Sequence, residues 1–140
     1  MSRVDISSER SEIRALREQN EVLLDDGPLD PLLREIGVLA AVRRSPAETE
    51  ARLDRARDAG LSDEMIEAIS SEDWTDPAFD ERTKIAFRFA MMYEAGHGIS
   101  SSVFEGLQSQ LDDAEILELA AVCSHWGSLA RARIAFEAGP

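Results

Sequence analysis

The sequence is punctuated along most of its length by helix-opening and helix-stopping signals, and this constrains its fold more than any other feature. Asp30-Pro31 sets a side chain that can accept from free amides before a residue whose fixed φ suits the first helical turn. Ser45-Pro46-Ala47-Glu48 has the form of a capping box, the serine accepting from the amide three residues on and the glutamate reaching back. Ser62-Asp63-Glu64, Ser100 and Asp112-Asp113-Ala114-Glu115 are further openings, and Gly60 and Gly96-His97-Gly98 are stops. Between these marks no apolar/polar alternation of period two is bounded by turns, so strands are not expected. The expected class is all-α, with about six or seven helices.

A first helix is expected from about Ser8 to Leu24, carrying Ile13, Leu16, Asn20 and Leu23 on one face and ending at Asp25-Asp26-Gly27-Pro28. The next should run to about Arg44, with an apolar stripe of Leu32, Ile36 and Leu39. The helix opened by Ser45 offers only Ala47, Ala51 and Ala56 among charged residues, so it should lie close to a neighbour on a narrow seam. A short helix with Met65, Ile66 and Ile69 precedes a polar connection from Ser70 to Asp80 that contains Trp74. From Glu81 to Ala95 the chain carries Ile85, Phe87, Phe89, Met91, Met92 and Tyr93 around most of a helix, which predicts a central position or a subunit interface. A helix with Val103, Phe104 and Leu107 and a last one from about Asp113 to Glu137 complete the series. The expected organisation is an N-terminal arm over residues 1–26 and one helical domain over 27–140.

At 140 residues the chain can form one domain with a core of its own. Its 28 acidic against 15 basic side chains give a formal charge of -13, which disfavours nucleic acid and anionic membrane surfaces as partners. No apolar run reaches the roughly 20 residues of a membrane helix, and the N-terminal segment lacks the apolar core of a signal peptide. A lone Cys123 can form neither an intrachain disulfide nor a cysteine-based zinc site, and the two histidines lie in different elements. A cytoplasmic, metal-free and cofactor-free protein is expected.

The run Gly27-Pro-Leu-Asp-Pro-Leu-Leu-Arg-Glu-Ile-Gly-Val-Leu-Ala, followed by Ala56-Arg-Asp-Ala-Gly-Leu-Ser-Asp-Glu-Met-Ile-Glu-Ala-Ile, resembles the carboxymuconolactone decarboxylase family of the AhpD-like superfamily. The resemblance continues through Asp80-Glu-Arg-Thr-Lys-Ile-Ala-Phe, Ile99-Ser-Ser-Ser-Val-Phe-Glu-Gly-Leu and Ile116-Leu-Glu-Leu-Ala to Leu129-Ala-Arg. It implies an all-helical fold assembled as a homotrimer or homohexamer with sites near subunit contacts. The AhpD branch carries Cys-x-x-Cys-x-x-x-His on the helix that here opens at Ser45, with a relay glutamate on the helix before it. On that spacing this chain has Ser45, Glu48 and Arg52, and only Glu35 matches. Dithiol peroxide reduction needs a thiolate and a resolving thiol, and neither is present. The decarboxylase branch works by proton transfer on a carboxylate-bearing lactone, for which acid/base residues and an arginine clamp suffice.

The resemblance makes Glu35 a candidate base, against a plain reading as a helix glutamate paired with Arg34 or Arg43. Glu48 is explained structurally by its capping box, with substrate binding as the functional alternative. Arg52 can hold a carboxylate with two hydrogen bonds, or pair with Glu48 four residues earlier. His125 falls off the apolar side of the last helix, which carries Ile116, Leu119, Ala120, Cys123, Gly127, Ala130 and Ile134, and is the better histidine for acid/base work. Arg131 can bind a carboxylate or pair with a neighbouring subunit. Cys123 reads as a packed thiol, Gly127 as the point of close helix approach, His97 as a turn residue and Trp126 as a possible pocket wall. Arg34, Arg43, Arg44, Arg52, Arg55 and Arg57 suggest a local basic pocket for a small anionic molecule.

Two functions follow from different classes: a cofactor-free lyase or isomerase with Glu35 and His125 in proton transfer and Arg52 as clamp, or a non-catalytic oligomeric scaffold. A residual alkylhydroperoxidase activity through Cys123 is a third.

Overall fold

The computed structural model describes residues 18, 24–96 and 98–138. Most of the expected Ser8–Leu24 helix, and His97, lie outside them; Glu18, Leu24 and Asp25 are helical. Six helices follow in order: α1 Pro31–Val42, α2 Pro46–Asp58, α3 Asp63–Ser70, α4 Glu81–Ala95, α5 Ser101–Gln110 and α6 Asp113–Ala138. No strand occurs among the described residues.

The caps explain the boundaries. Asp30, Ser45, Ser62, Asp80 and Ser100 each accept a backbone N–H of the first turn, and Gly96 ends α4 at φ 74°. At α6 the capping box is complete: Glu115 donates its amide to Asp112 Oδ1 at 2.8 Å and accepts that of Asp112 at 3.0 Å. At α2 only half of it forms. Ser45 Oγ accepts from Glu48 N at 3.3 Å, but the Ser45 amide bonds Val42 O at 2.8 Å, which frees the Glu48 carboxylate for a distant partner.

The central helix is α1, and not α4. Every residue from Leu33 to Val42 is buried, because α6, α4, α2 and α3 all pack on α1. Small residues make this possible: a Cβ at Gly37 would lie 2.9 Å from Leu119 Cδ1 and 3.4 Å from Val122 Cγ1. This is the close helix approach, and it lies on α1. At Gly127 an added Cβ would meet only ordinary contacts, at 3.7 Å from Arg131 and 4.0 Å from Ala41. Helix α4 buries Ala86, Phe87, Phe89 and Ala90 against α1, α5 and α6 and leaves Tyr93 exposed.

Burying ten consecutive positions of α1 takes Arg34 and Glu35 into the interior, at 6% and 4% exposure. Both have hydrogen-bond partners, though Arg34 Nε is buried without one among the described residues. Arg34 Nη2 donates to Gly27 O at 3.0 Å and Leu29 O at 2.9 Å, tying down the segment before the helix. The amide of Leu29 donates to Glu118, whose Oε1 would lie 1.2 Å from any Cβ at Gly27, so a larger residue there would displace that carboxylate. Glu35 points to another side, toward α2.

Candidate functional site

Arg52 leaves α2 one turn above Glu48 and enters the interior at 5% exposure. Its Nε donates to Glu35 Oε1 at 2.6 Å and its Nη2 to Glu35 Oε2 at 2.7 Å, a two-bond pairing in which both side chains are almost fully buried. Nη2 also donates to Asp25 Oδ1 at 2.8 Å, and the other oxygen of Asp25 accepts from Arg55 at 2.5 Å. Burial opposes the charge on Arg52, but the bonds to Glu35 and Asp25 outweigh it and hold its pKa above the ordinary arginine value. The guanidinium carbon lies 4.6 Å from the centroid of the Trp126 ring, and His125 meets that ring edge-on at 5.2 Å.

A cavity of about 540 Å³ opens between α2 and α6 over this group, lined by Glu48, Arg52, Arg55, Trp126, Leu129 and Arg133, with Ala47 and Ala51 as small wall residues. Glu48 Oε1 accepts from Arg133 Nε at 2.6 Å across its mouth. The Trp126 indole N–H is buried with no hydrogen-bond partner among the described residues, a donor left over in the wall.

The structure therefore brings Glu35, Arg52 and Glu48 to one place, with His125 behind Trp126. Arg131 lies apart, on a second cavity with Arg44 and Glu94. Arg52 pairs with Glu35 and Asp25, whereas Glu48 reaches Arg133. Glu35 bonds neither Arg34 nor Arg43; the latter reaches Glu72 at 2.7 Å and also Glu94. The expected basic patch is correspondingly dispersed: Arg55 shares Asp25 with Arg52, and Arg57 pairs with Asp63 at 3.3 Å.

Two contributors were not singled out from the sequence. Arg133 shares a face of α6 with Trp126 and Leu129 at spacings of three and four, so helical periodicity could have found it. Asp25 sits in an Asp-Asp-Gly-Pro turn, and nothing local marks it as a partner for α2. Cys123 is buried in the core, its thiol pushed up to about 12 by burial, with the nearby Glu94 carboxylate adding to the shift. A thiol held in that state is not a nucleophile near neutral pH. Among the described residues no group of three or more histidine, cysteine or carboxylate side chains could hold a metal ion, and no helix is long and apolar enough to cross a membrane.

No protein-family model matches the sequence, and no curated protein matches it. A solved structure does: a protein of unknown function from Agrobacterium tumefaciens, provisionally described as the antioxidant defence protein AhpD, superposes with a TM-score of 0.84 over 98% of this chain and 96% of its own, at 18% identity. The helix order, the all-helical architecture and this likeness agree: the chain has the AhpD-like fold.

Proposed function

We propose that this chain is a carboxymuconolactone decarboxylase-like protein without dithiol chemistry, which binds a small carboxylate-bearing molecule over Arg52 and moves a proton on it without a cofactor. One observation carries the reading: Glu48 and Arg133 pair across the mouth of a cavity whose floor is Arg52 and Trp126. A ligand carboxylate competes with Glu48 for the N–H groups of Arg133. Once displaced, Glu48 is a free carboxylate at the cavity wall, in reach of a carbon-bound proton. Glu35 then acts as a positioning residue, its two oxygens holding Arg52 still, and His125 packs edge-on against Trp126. The same reading makes the protein a cytoplasmic homotrimer or homohexamer; exposed Phe104, Ile134 and Phe136 are apolar surface that self-association would cover.

The test is hydrogen–deuterium exchange of small carboxylates and lactones in D2O, followed by proton NMR, alongside thermal shift with the same compounds. Glu48→Gln should abolish exchange and leave binding in place, whereas Arg133→Ala should lose binding. A second reading, an oligomeric scaffold without catalysis, is favoured by the mutual neutralisation of the charges here: Arg52 and Arg55 face Glu35 and Asp25, and Arg133 faces Glu48. Stabilisation by none of these compounds, together with no exchange, is the outcome that reading expects.

A further inference from the structure

Of the described arginines, Arg43, Arg52, Arg55, Arg57, Arg82 and Arg133 each hold a carboxylate, Arg34 holds two backbone carbonyls and Arg88 lies over Trp74. Two remain. Neither Arg44 nor Arg131 has a carboxylate within ion-pair distance among the described residues, and both line one cavity of about 310 Å³. That cavity lies between the end of α1 and the last third of α6, away from the cavity over Arg52.

Its make-up suits one class of ligand. Glu94 is the acidic side chain in the lining, and it pairs with Arg43, which also holds Glu72. With Glu72 counted the local surplus is one positive charge, on a chain whose formal charge is -13, and the guanidinium groups of Arg44 and Arg131 face the cavity with no carboxylate within ion-pair distance among the described residues. The rest of the lining is apolar, from Ala41, Ala130, Ala135 and Ile134, and Ile134 is 39% exposed. The volume is near the lower end of the range of about 300–1,000 Å³ usual for small-molecule sites. Guanidinium groups with no resident partner recognise oxyanions by paired, charge-assisted hydrogen bonds, while the alanine and isoleucine wall excludes water from a hydrocarbon body.

We infer that the cavity between Arg44 and Arg131 is a second binding site, for an oxyanion headgroup carried on a small apolar body. The headgroup is a carboxylate or a phosphate; both satisfy two guanidinium groups.

The experiment is calorimetric titration of the full chain with benzoate, hexanoate, hexyl phosphate and inorganic phosphate. The expected result is saturable binding of at least one of the organic anions, tighter than that of inorganic phosphate. Whether the carboxylates or hexyl phosphate bind tighter identifies the headgroup. Arg44→Gln or Arg131→Gln should each weaken it about tenfold, the loss of one charge-assisted contact. Arg133→Gln removes carboxylate binding at the cavity over Arg52, so the binding that survives in that variant is the binding of this second site, and the arginine variants are read in that background. Both arginines are exposed, so these variants keep the fold, and circular dichroism checks that. Unaltered affinity of that surviving binding when Arg44→Gln and Arg131→Gln are added overturns the assignment, as does loss of all organic-anion binding in Arg133→Gln or no binding of any probe. It also fails if the double variant changes the oligomeric state in light scattering without a change in anion binding, for the arginines would then serve a second copy of the chain.

Discussion

Replacing Arg52 by methionine tests the arrangement around α1 and α2 most directly. Methionine fills much of the same space and removes the charge, leaving two carboxylates with side-chain exposures of 5% and 8%, those of Glu35 and Asp25. Asp25 retains Arg55, but that side chain is 55% exposed, and a pair so open to water is worth about 1 kcal/mol or less. Glu35 retains no cation. Breaking a buried pair from one side costs about 3–5 kcal/mol, and the lost contact with the Trp126 face adds about 0.5–1 kcal/mol. The expected loss for Arg52→Met is therefore about 4 kcal/mol, a large share of the 5–15 kcal/mol, roughly, of a whole domain. Adding Glu35→Leu removes the stranded charge, so the double variant should recover about 2–3 kcal/mol of that loss. Urea unfolding, read by tryptophan fluorescence and far-UV circular dichroism at one protein concentration, gives these differences if the urea slopes agree. A loss below about 1 kcal/mol for the single variant, or a double variant less stable than Arg52→Met, would refute the claim that this pair is a buried, mutually dependent unit.

Three further outcomes are expected. Gly37→Ala should destabilise by about 1–2 kcal/mol, since its methyl group must displace Leu119, while Gly127→Ala should stabilise by about 0.5–1 kcal/mol through helix propensity alone; equal effects in urea unfolding contradict the packing described. Cys123 should resist iodoacetamide at pH 8 in the native protein and react at once in urea, because burial holds its thiol pKa at about 12; stoichiometric labelling of the native chain by mass spectrometry would be the contrary result. Asp80 has its carboxyl pKa lowered, chiefly by the amide of Thr83, so the stability it contributes is complete above its ordinary carboxyl value, near pH 4, and lost as pH falls through the lower folded value. Asp80→Asn should accordingly cost most at neutral pH and progressively less as pH falls below about 4, as thermal melts across that range would show.

The element boundaries could be read from the sequence because capping is local. A side-chain oxygen at Asp30, Ser45, Ser62, Asp80 or Ser100 bonds an amide two or three residues away, and the chemistry of both ends is written within one turn. Depth was harder to read. The aromatic and methionine side chains spread around α4 point to that helix, yet what settles the centre is how closely neighbours can approach, and Gly37, Ala40 and Ala41 let α1 be covered on all sides. The site divides in the same way. Glu35 was marked by its match to a motif and Arg52 by standing where that motif has histidine, whereas the pairing of Glu48 with Arg133 spans 85 residues of sequence and has no local sign. Half of a capping box looks the same in sequence as a whole one; the difference is made by the Val42 carbonyl, which takes the Ser45 amide first.

A helix covered on every side raises a problem of its own. An amphipathic helix is oriented by its apolar stripe, but one buried all round could be turned about its axis with little loss of apolar contact. Helix α1 carries two adjacent charges that break this degeneracy. Arg34 must meet the carbonyls of Gly27 and Leu29, and Glu35, one position and about 100° further round, must meet Arg52. Two bearings fix an angle: a turn by one residue would strand both charges in the interior at once. The ion pair under the cavity thus also keys α1 like a shaft in its housing, and sets which face of that helix every neighbouring element receives.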